Sequence, residues 1–539
     1  MEPGNVRAWM VLGLIGCEAA TAAPPAFTKI TGQPFNASGG SQAIAWGDAN
    51  NDGWPDVFIT LRSSGATTLY TNNTHGAFGK ATGSVGANLV NPVGGTWADF
   101  ENKGSLDLFI SNNNGGNDSL LRNNGSGVFT PVTTGSIVSS GGNGNGCAWA
   151  DYDRDGYVDL YVANSDGTNF LFHNNGNGTF TRITTGAMVV STLNSQGCAW
   201  IDYDNDGYPD LFVTRWQSAN LLFHNNRNGT FTKISTGAIA TEGGTAAGYA
   251  WGDFDNDGLL DAFVSNGPGN SLHHNNGDGT FTKVPPPTGT ESGSFLCANW
   301  VDFDNDGWLD LFVVDFQVGA ICRMYRNNGD GTFTCAAGSD LLTEKGRWFA
   351  SAWADINQDG FPDVIVSNVG VGNVLFRNDG NTNHWLTVHC LGRVSNRAAI
   401  GAKMRVRATI AGKTFWQMRE ISGGGNIGSQ DQLDPMFGLG DAATVDTLRV
   451  EWPSGLVQEL HNIAPNQILA VKEPARLEPM NNGQPVFKLV GGKNVSYNIE
   501  RSTDLETWTT WLTLTNTFGQ TNFTNDASID IQAFRAVEP

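Results

Sequence analysis

The densest chemistry in the sequence is a nine-residue acidic loop. Asp151-Tyr-Asp153-Arg-Asp155-Gly156-Tyr157-Val-Asp159 carries side-chain oxygens at positions 1, 3, 5 and 9 and a glycine at position 6. Alternate positions bring the carboxylates to one side of a tight loop, the glycine permits the sharp turn, and position 7 offers its carbonyl. The result is a hard, oxygen-rich cage suited to calcium. The loop departs from the EF-hand in lacking a Glu at position 12, where Val162 stands, and no helical pattern flanks it.

The cage recurs at Asp202, Asp204, Asp206 and Asp210, at Asp253, Asp255, Asp257 and Asp261, and at Asp302, Asp304, Asp306 and Asp310. Two further copies keep it with one neutral oxygen: Asp48, Asn50, Asp52 and Asp56, and Asp355, Asn357, Asp359 and Asp363. About six Ca2+ sites are therefore expected. The remaining copy reads Asp99-Phe-Glu101-Asn-Lys103-Gly104-Ser-Leu-Asp107, with an ammonium where the third ligand belongs. There Lys103 is expected to stand in for the ion. Asp, Asn and Gly favour turns without any metal, but a turn has no need of this spacing, and several uncompensated carboxylates a few ångströms apart repel one another.

The elements that position these loops follow from the period. The first Asp of each loop falls at 48, 99, 151, 202, 253, 302 and 355, and a Trp precedes it by two residues every time (Trp46, Trp97, Trp149, Trp200, Trp251, Trp300, Trp353). Each repeat contains four short strand patterns, the unit of a propeller blade. The Trp is expected to pack between blades. The seventh copy lacks its fourth strand, and Ala26-Phe27-Thr28-Lys29-Ile30 matches the fourth-strand sequence of repeat 4, Gly229-Thr-Phe-Thr-Lys-Ile234. The fold expected is all-β: a seven-bladed β-propeller closed by the N-terminal strand, followed by two small β-modules. The boundaries are 1–22 for a signal peptide, 26–378 for the propeller, 383–474 for the first module and 475–539 for the second.

Charge is consistent with this layout. The formal net charge is -21, from 31 Lys plus Arg against 52 acids, which argues against a nucleic-acid partner. Arg7, the apolar run from Trp9 to Ile15 and the small residues Ala19 to Ala23 have the layout of a secretory signal peptide. Two processing routes remain open: cleavage after Ala20-Thr21-Ala22, or lipid attachment at Cys17, since Leu14-Ile15-Gly16-Cys17 is similar to a bacterial lipobox. No apolar stretch approaches the roughly 20 residues of a transmembrane helix. The chain is expected to be secreted or held at the cell surface or in the periplasm. Of the seven cysteines, Cys322 and Cys335 flank the turn Asn327-Asn328-Gly329-Asp330-Gly331 and could close a hairpin disulfide, whereas Cys147 and Cys198 read as small buried residues.

The repeats resemble FG-GAP/VCBS propeller repeats, related to those of integrin α-subunits, over residues 26 to 378. The resemblance implies ions in loops on one face and ligand or partner contacts on the other. Further along, Ser395-Asn396-Arg397, Ala399-Ile-Gly-Ala402, Gln417-Met-Arg419-Glu420, Gly423-Gly-Gly425, Phe437-Gly-Leu-Gly440 and Val450-Glu-Trp-Pro-Ser-Gly455 resemble the ASPIC/UnbV domain. Pro435-Met436 stands where that family usually has a His. The combination is similar to the cartilage acidic protein family and implies extracellular binding or adhesion. Arg397, Arg419 and Glu420 could form a recognition site or a buried ion pair. The last module resembles fibronectin type III-like sandwiches.

No catalysis is expected. No Gly-x-Ser-x-Gly elbow is present, His-Cys zinc spacing is missing, and His173, His224 and His274 share one repeat position and read as scaffold. The expected role is extracellular binding of a protein or glycan. The alternative is a secreted hydrolase or lyase with an unrecognised site on a propeller face, which a pocket holding acids or histidines outside the six loops would favour.

Overall fold

The computed structural model describes residues 26–35, 41–61, 66–81, 85, 89–189, 194–266, 269–289, 293–480, 486–492, 495–502, 508–517, 519–524 and 533–538. The segment expected to be a signal peptide, Cys17 included, lies outside them.

Among the described residues repeats 1, 2, 3, 6 and 7 each form a four-stranded antiparallel sheet, and repeats 4 and 5 share one eight-stranded sheet, joined where the end of Asp210–Ala219 pairs with the start of Gly243–Gly252. In repeat 3 the strands are Gly144–Ala150, Asp159–Asn164, Phe170–Asn174 and Phe180–Ile183. Trp149 lies opposite Leu160, Leu160 opposite Phe172, and Asn174 opposite Phe180. The innermost strand of every unit carries a register shift, between Gly144 and Cys147 in this one, so each bends where the strands crowd the axis. Successive innermost strands pack against one another around a closed ring. The strand Phe27–Ile30 pairs antiparallel with Val374–Asn378 and completes the last unit, as the matching sequences predict. The edge of Val374–Asn378 is thereby covered.

Apolar alternation buries the strands on both faces, and the repeat tryptophans fill the gaps between units. Trp46, Trp97 and Trp149 are essentially inaccessible. Trp97 meets Phe58 of the preceding unit edge to face, with an interplanar angle of 83°. The indole N–H groups of Trp46, Trp97 and Trp200 donate to the carbonyls of Ala352, Ala45 and Ala148, each one unit back, at 3.0, 3.1 and 3.2 Å. These three tryptophans are thus both filler and latch between neighbours, whereas Trp149, Trp251, Trp300 and Trp353 act as filler alone, their indole N–H groups buried without a partner. The asparagine ending each third strand makes a second latch: Asn174 Nδ2 donates to the Phe100 carbonyl at 2.8 Å, and Asn225 and Asn275 do the same to Tyr152 and Tyr203.

Beyond the ring, His384–Leu391 pairs antiparallel with Met436–Gly440 and parallel with Gln467–Lys472. Lys413–Glu420, Lys403–Ile410, Val445–Glu451 and Val457–Ile463 form a second sheet. The last residues form two three-stranded sheets around Leu489, Tyr497 and Ile499. Cys322 is a free, buried thiol, so the hairpin disulfide does not form. The register is the reason: Cys335 lies opposite Tyr325, three residues from Cys322. Cys147 and Cys198 are buried as expected.

A loop from the first module fills the propeller axis. Gln430 exchanges backbone hydrogen bonds with repeat 1, accepting from Trp46 and donating to Ile44, and its side-chain oxygen accepts from the Trp97 amide of repeat 2 at 2.6 Å. Gly423 accepts from the Trp149 amide of repeat 3, and Asn426 pairs with Tyr249 and Ala298 of repeats 5 and 6. Asp431 accepts from the Trp353 amide of repeat 7 at 2.8 Å. In repeat 4 the fit is so close that a Cβ on Gly197 would sit 2.3 Å from the Asn426 carbonyl. Residues 422–432 therefore satisfy inner-strand groups that would otherwise face an empty channel.

Candidate metal centre

Each acidic loop runs from an innermost strand to the next strand out, and its first carboxylate organises it. Asp151 Oδ1 accepts from the Asp155 amide and Oδ2 from the Gly156 amide, both at 2.9 Å. The same pair of bonds closes the loops at Asp48, Asp202, Asp253, Asp302 and Asp355. The turn needs a left-handed residue at position 6, and Gly156 has φ 92°. Position 4 is left-handed too, which Asn tolerates and which Arg154 adopts at φ 62°.

The ninth carboxylate is the most deeply buried. Asp159 Oδ1 accepts from the Asn174 amide at 2.8 Å and Oδ2 from the Tyr152 amide at 3.2 Å, tying the loop to two strands. Burial, reinforced by neighbouring carboxylates, pushes Asp210 up to about 9 and raises Asp151 and Asp310 well above the ordinary carboxylate range. Asp153 and Asp155 stand closer to solvent. Asp151, Asp153 and Asp159 offer oxygens within 4.8 Å of one another, as do Asp202, Asp204 and Asp210, and such groups could hold a metal ion. Asp210 Oδ2, Asp261 Oδ2 and Asp304 Oδ1 are buried without a hydrogen-bond partner. A desolvated carboxylate oxygen lacking any donor is what a cation would satisfy.

Repeat 2 differs in the way its sequence predicts. Asp99 closes the loop, but Glu101 takes the Lys103 ammonium at 2.9 Å and Arg122 Nε at 3.2 Å. The lysine approaches from solvent, with two-thirds of its side chain exposed, so Arg122 shares the role expected of Lys103 alone.

Three features escaped the sequence reading. The seven loops are linked side by side: the position-4 amide of each donates to the position-6 carbonyl of the next, from Asn51 to Gly104, Asn102 to Gly156, Asn205 to Gly258, Asn256 to Gly307, Asn305 to Gly360 and Gln358 to Gly53. Only Arg154 breaks the series, donating instead to the Pro453 carbonyl at 2.6 Å. Secondly, the C-terminal module sits on this acidic-loop face. Lys403 is buried with its ammonium 2.8 Å from Asp202 Oδ2, the Arg397 amide donates to Asn102, and Arg405 donates to the Gly258 carbonyl. Thirdly, His173, His224 and His274 are not mere scaffold, for each imidazole touches cage carboxylates. Their signal was available, since the same repeat position holds cationic Arg122, Arg326 and Arg377.

Arg419 and Glu420 form no ion pair with each other. Arg419 Nη2 and Glu420 Oε2 lack partners, and burial raises Glu420 to about 7. A cavity of about 550 Å³ between the acidic-loop face and the module is lined by Asp48, Trp54, Thr387, His389, Arg397 and Asp434 among others. In it His389 Nδ1 lies 2.9 Å from Asp434.

The FG-GAP-like repeat model matches residues 48–110, 99–162, 151–213, 202–264, 253–313 and 319–366, together more than half the chain. The ASPIC and UnbV model matches residues 392–478. Cartilage acidic protein 1 of Xenopus tropicalis is 32% identical over 179 residues, covering 31% of this chain and 27% of that protein. The Mus musculus protein of the same name is 25% identical over 348 residues, covering 61% and 45%. For the Homo sapiens protein the figures are 25% over 334 residues, 58% and 41%. The chain spans less than half the length of these relatives. Repeats, loops and C-terminal landmarks agree: the chain belongs to the FG-GAP-like repeat family and carries an ASPIC and UnbV domain after its repeats.

Proposed function

We propose that this chain is a secreted or surface-attached propeller protein that binds calcium through six acidic loops and serves extracellular binding or adhesion without catalysis. The observation that carries the calcium reading is the set of buried carboxylate oxygens without donors in loops of one repeated geometry. The ligands are Asp48, Asn50, Asp52 and Asp56 in repeat 1 and the corresponding groups of four in repeats 3 to 7. Calcium supplies the positive charge that lets these carboxylates stay ionised in one tight loop. The protein's own contribution is orientation: the first carboxylate holds the turn closed through two backbone amides, and the ninth anchors it to the second and third strands.

A binding role is supported by the filled axis, which leaves a propeller without an open central channel, and by the names of its relatives. A protein or glycan ligand fits this reading, and the excess of acids opposes nucleic acid. No helix among the described residues is long and apolar enough to cross a membrane. Thermal unfolding of the mature protein with calcium and with a chelator, paired with elemental analysis, tests the proposal. A large calcium-dependent rise with about six ions bound is expected, and an unchanged transition with no bound ion would remove the calcium reading.

One observation favours the alternative of a hydrolase or lyase: the His389–Asp434 pair in its cavity. Against it, Cys390 beside the pair is buried with its thiol pushed up to about 12, far from a reactive thiolate. Turnover of ester or glycoside substrates abolished by His389→Ala would establish that reading.

A further inference from the structure

The residue preceding the latch asparagine of each third strand is Thr71, Arg122, His173, His224, His274, Arg326 and Arg377 in repeats 1 to 7. In repeat 6 the Arg326 guanidinium spans loop positions 3 and 5, with Nε 2.6 Å from Asp304 and Nη2 2.6 Å from Asp306. That place demands a cation, and a side chain supplies it. In repeats 3, 4 and 5 an imidazole stands there instead. His173 Nδ1 is 3.3 Å from Asp153 and 3.1 Å from Asp159, His224 Nδ1 is 3.3 Å from Asp204 and from Asp210, and His274 Nδ1 is 3.4 Å from Asp255 and 3.2 Å from Asp261.

In each of the three repeats one imidazole nitrogen and two carboxylate oxygens lie within 4.8 Å of one another: Asp153, Asp155 and His173; Asp204, Asp206 and His224; Asp255, Asp261 and His274. Independently, the Oδ2 atoms of the fully buried Asp210 and Asp261 have no hydrogen-bond partner. We propose that repeats 3, 4 and 5 carry mixed nitrogen–oxygen sites for a borderline divalent cation of the Zn2+ class, which repeats 1, 6 and 7 lack. Imidazole nitrogen suits Zn2+, Co2+ and their neighbours, whereas calcium takes oxygen donors. Repeat 4 is the weakest of the three, because Arg227 Nε already lies 2.7 Å from Asp206.

The proposal shares its loops with the calcium reading, so the two need separate readouts. The full chain is loaded with Co2+ in excess calcium, and both metals are counted by elemental analysis while the visible absorption and paramagnetically shifted imidazole protons report nitrogen ligation. Three retained Co2+ per chain are expected. Each of His173→Gln, His224→Gln and His274→Gln lowers that number by one and raises the calcium count by one, as the all-oxygen loop passes to calcium. Should one of these variants fail to fold, Arg326→His supplies the converse test and adds one Co2+. Complete displacement of Co2+ by calcium, or Co2+ stoichiometry indifferent to all four substitutions, would overturn the proposal and leave the imidazoles as hydrogen-bond partners of the carboxylates. Absence of calcium with Co2+ still bound in the histidine repeats would overturn the calcium reading alone.

Discussion

Repeats 2 and 3 are neighbours built from the same strands, yet they handle negative charge in opposite ways. Repeat 3 gathers Asp151, Asp153, Asp155 and Asp159 with a single imidazole, His173, against Asp153 and Asp159, whereas repeat 2 has one carboxylate, Glu101, between Lys103 and Arg122. The backbone is nevertheless the same: Asp99 accepts the Lys103 and Gly104 amides just as Asp151 accepts those of Asp155 and Gly156. Loop closure is therefore a property of the first carboxylate and the glycine, and the charge at positions 3 and 5 is a separate variable. Folding of the turn and attraction of a cation can be altered independently.

Chelation should separate the two repeats most strongly. With extracellular-type affinity, each occupied loop contributes on the order of 2 kcal/mol at about 10 mM calcium. Six loops together should raise the melting temperature by more than about 10 °C, and differential scanning calorimetry with and without chelator reads the effect. Hydrogen exchange should then rise in the loop of repeat 3 and stay unchanged in that of repeat 2.

Next in size, Trp97→Ala and Trp149→Ala should each cost about 3–5 kcal/mol in chemical denaturation, with or without calcium. Both side chains are buried between units, so a difference between them would mean that the metal loop, rather than the packing, governs stability locally. Asp153→Asn together with Asp155→Asn should remove one calcium from the count and lower stability by roughly 2 kcal/mol, whereas Glu101→Gln should leave the count unchanged. The smallest effect sharpens the comparison furthest. Glu101→Asp with Lys103→Asp should convert repeat 2 into a seventh site, raising the calcium count by one at a gain of about 1–2 kcal/mol. A count that stays at six would show that an arginine at the Arg122 position opposes the ion, and the loop of repeat 6, where Arg326 holds that position against Asp304 and Asp306, would then be the next to question.

What the sequence made legible was whatever recurs at short range. Asp151 to Asp159, the Trp two residues ahead and the strand patterns all lie within one repeat, and seven copies average out local ambiguity. Even the closing strand Phe27–Ile30, some 350 residues from its partner, could be found because it is a displaced copy of a known element. Contacts that occur once left no such trace. Gln430 reaches Trp46 and Trp97, and Lys403 reaches Asp202, across more than 200 residues with no repeat to announce them. The Gly423-Gly424-Gly425 run stood only as a landmark of the C-terminal module, and nothing in it announced the close approach of Gly423 to Trp149. Cys322 and Cys335 failed for a related reason, since closeness along the chain suggested a pair that the strand register separates.

The amide links between neighbouring loops have a mechanical meaning. Six of them join the seven loops into a belt whose only gap in this amide series falls between repeats 3 and 4, where the Arg154 guanidinium lies 4.7 Å from the centre of the Tyr208 ring and donates to the Pro453 carbonyl. A belt with one gap carries hoop tension only if something spans that gap. The C-terminal module does so, holding Arg154 on one side and Asp202 on the other through Lys403. It acts as a buckle, so a pulling force applied through the module loads the belt at its gap and the propeller should part first between repeats 3 and 4, away from the seam that the N-terminal strand closes.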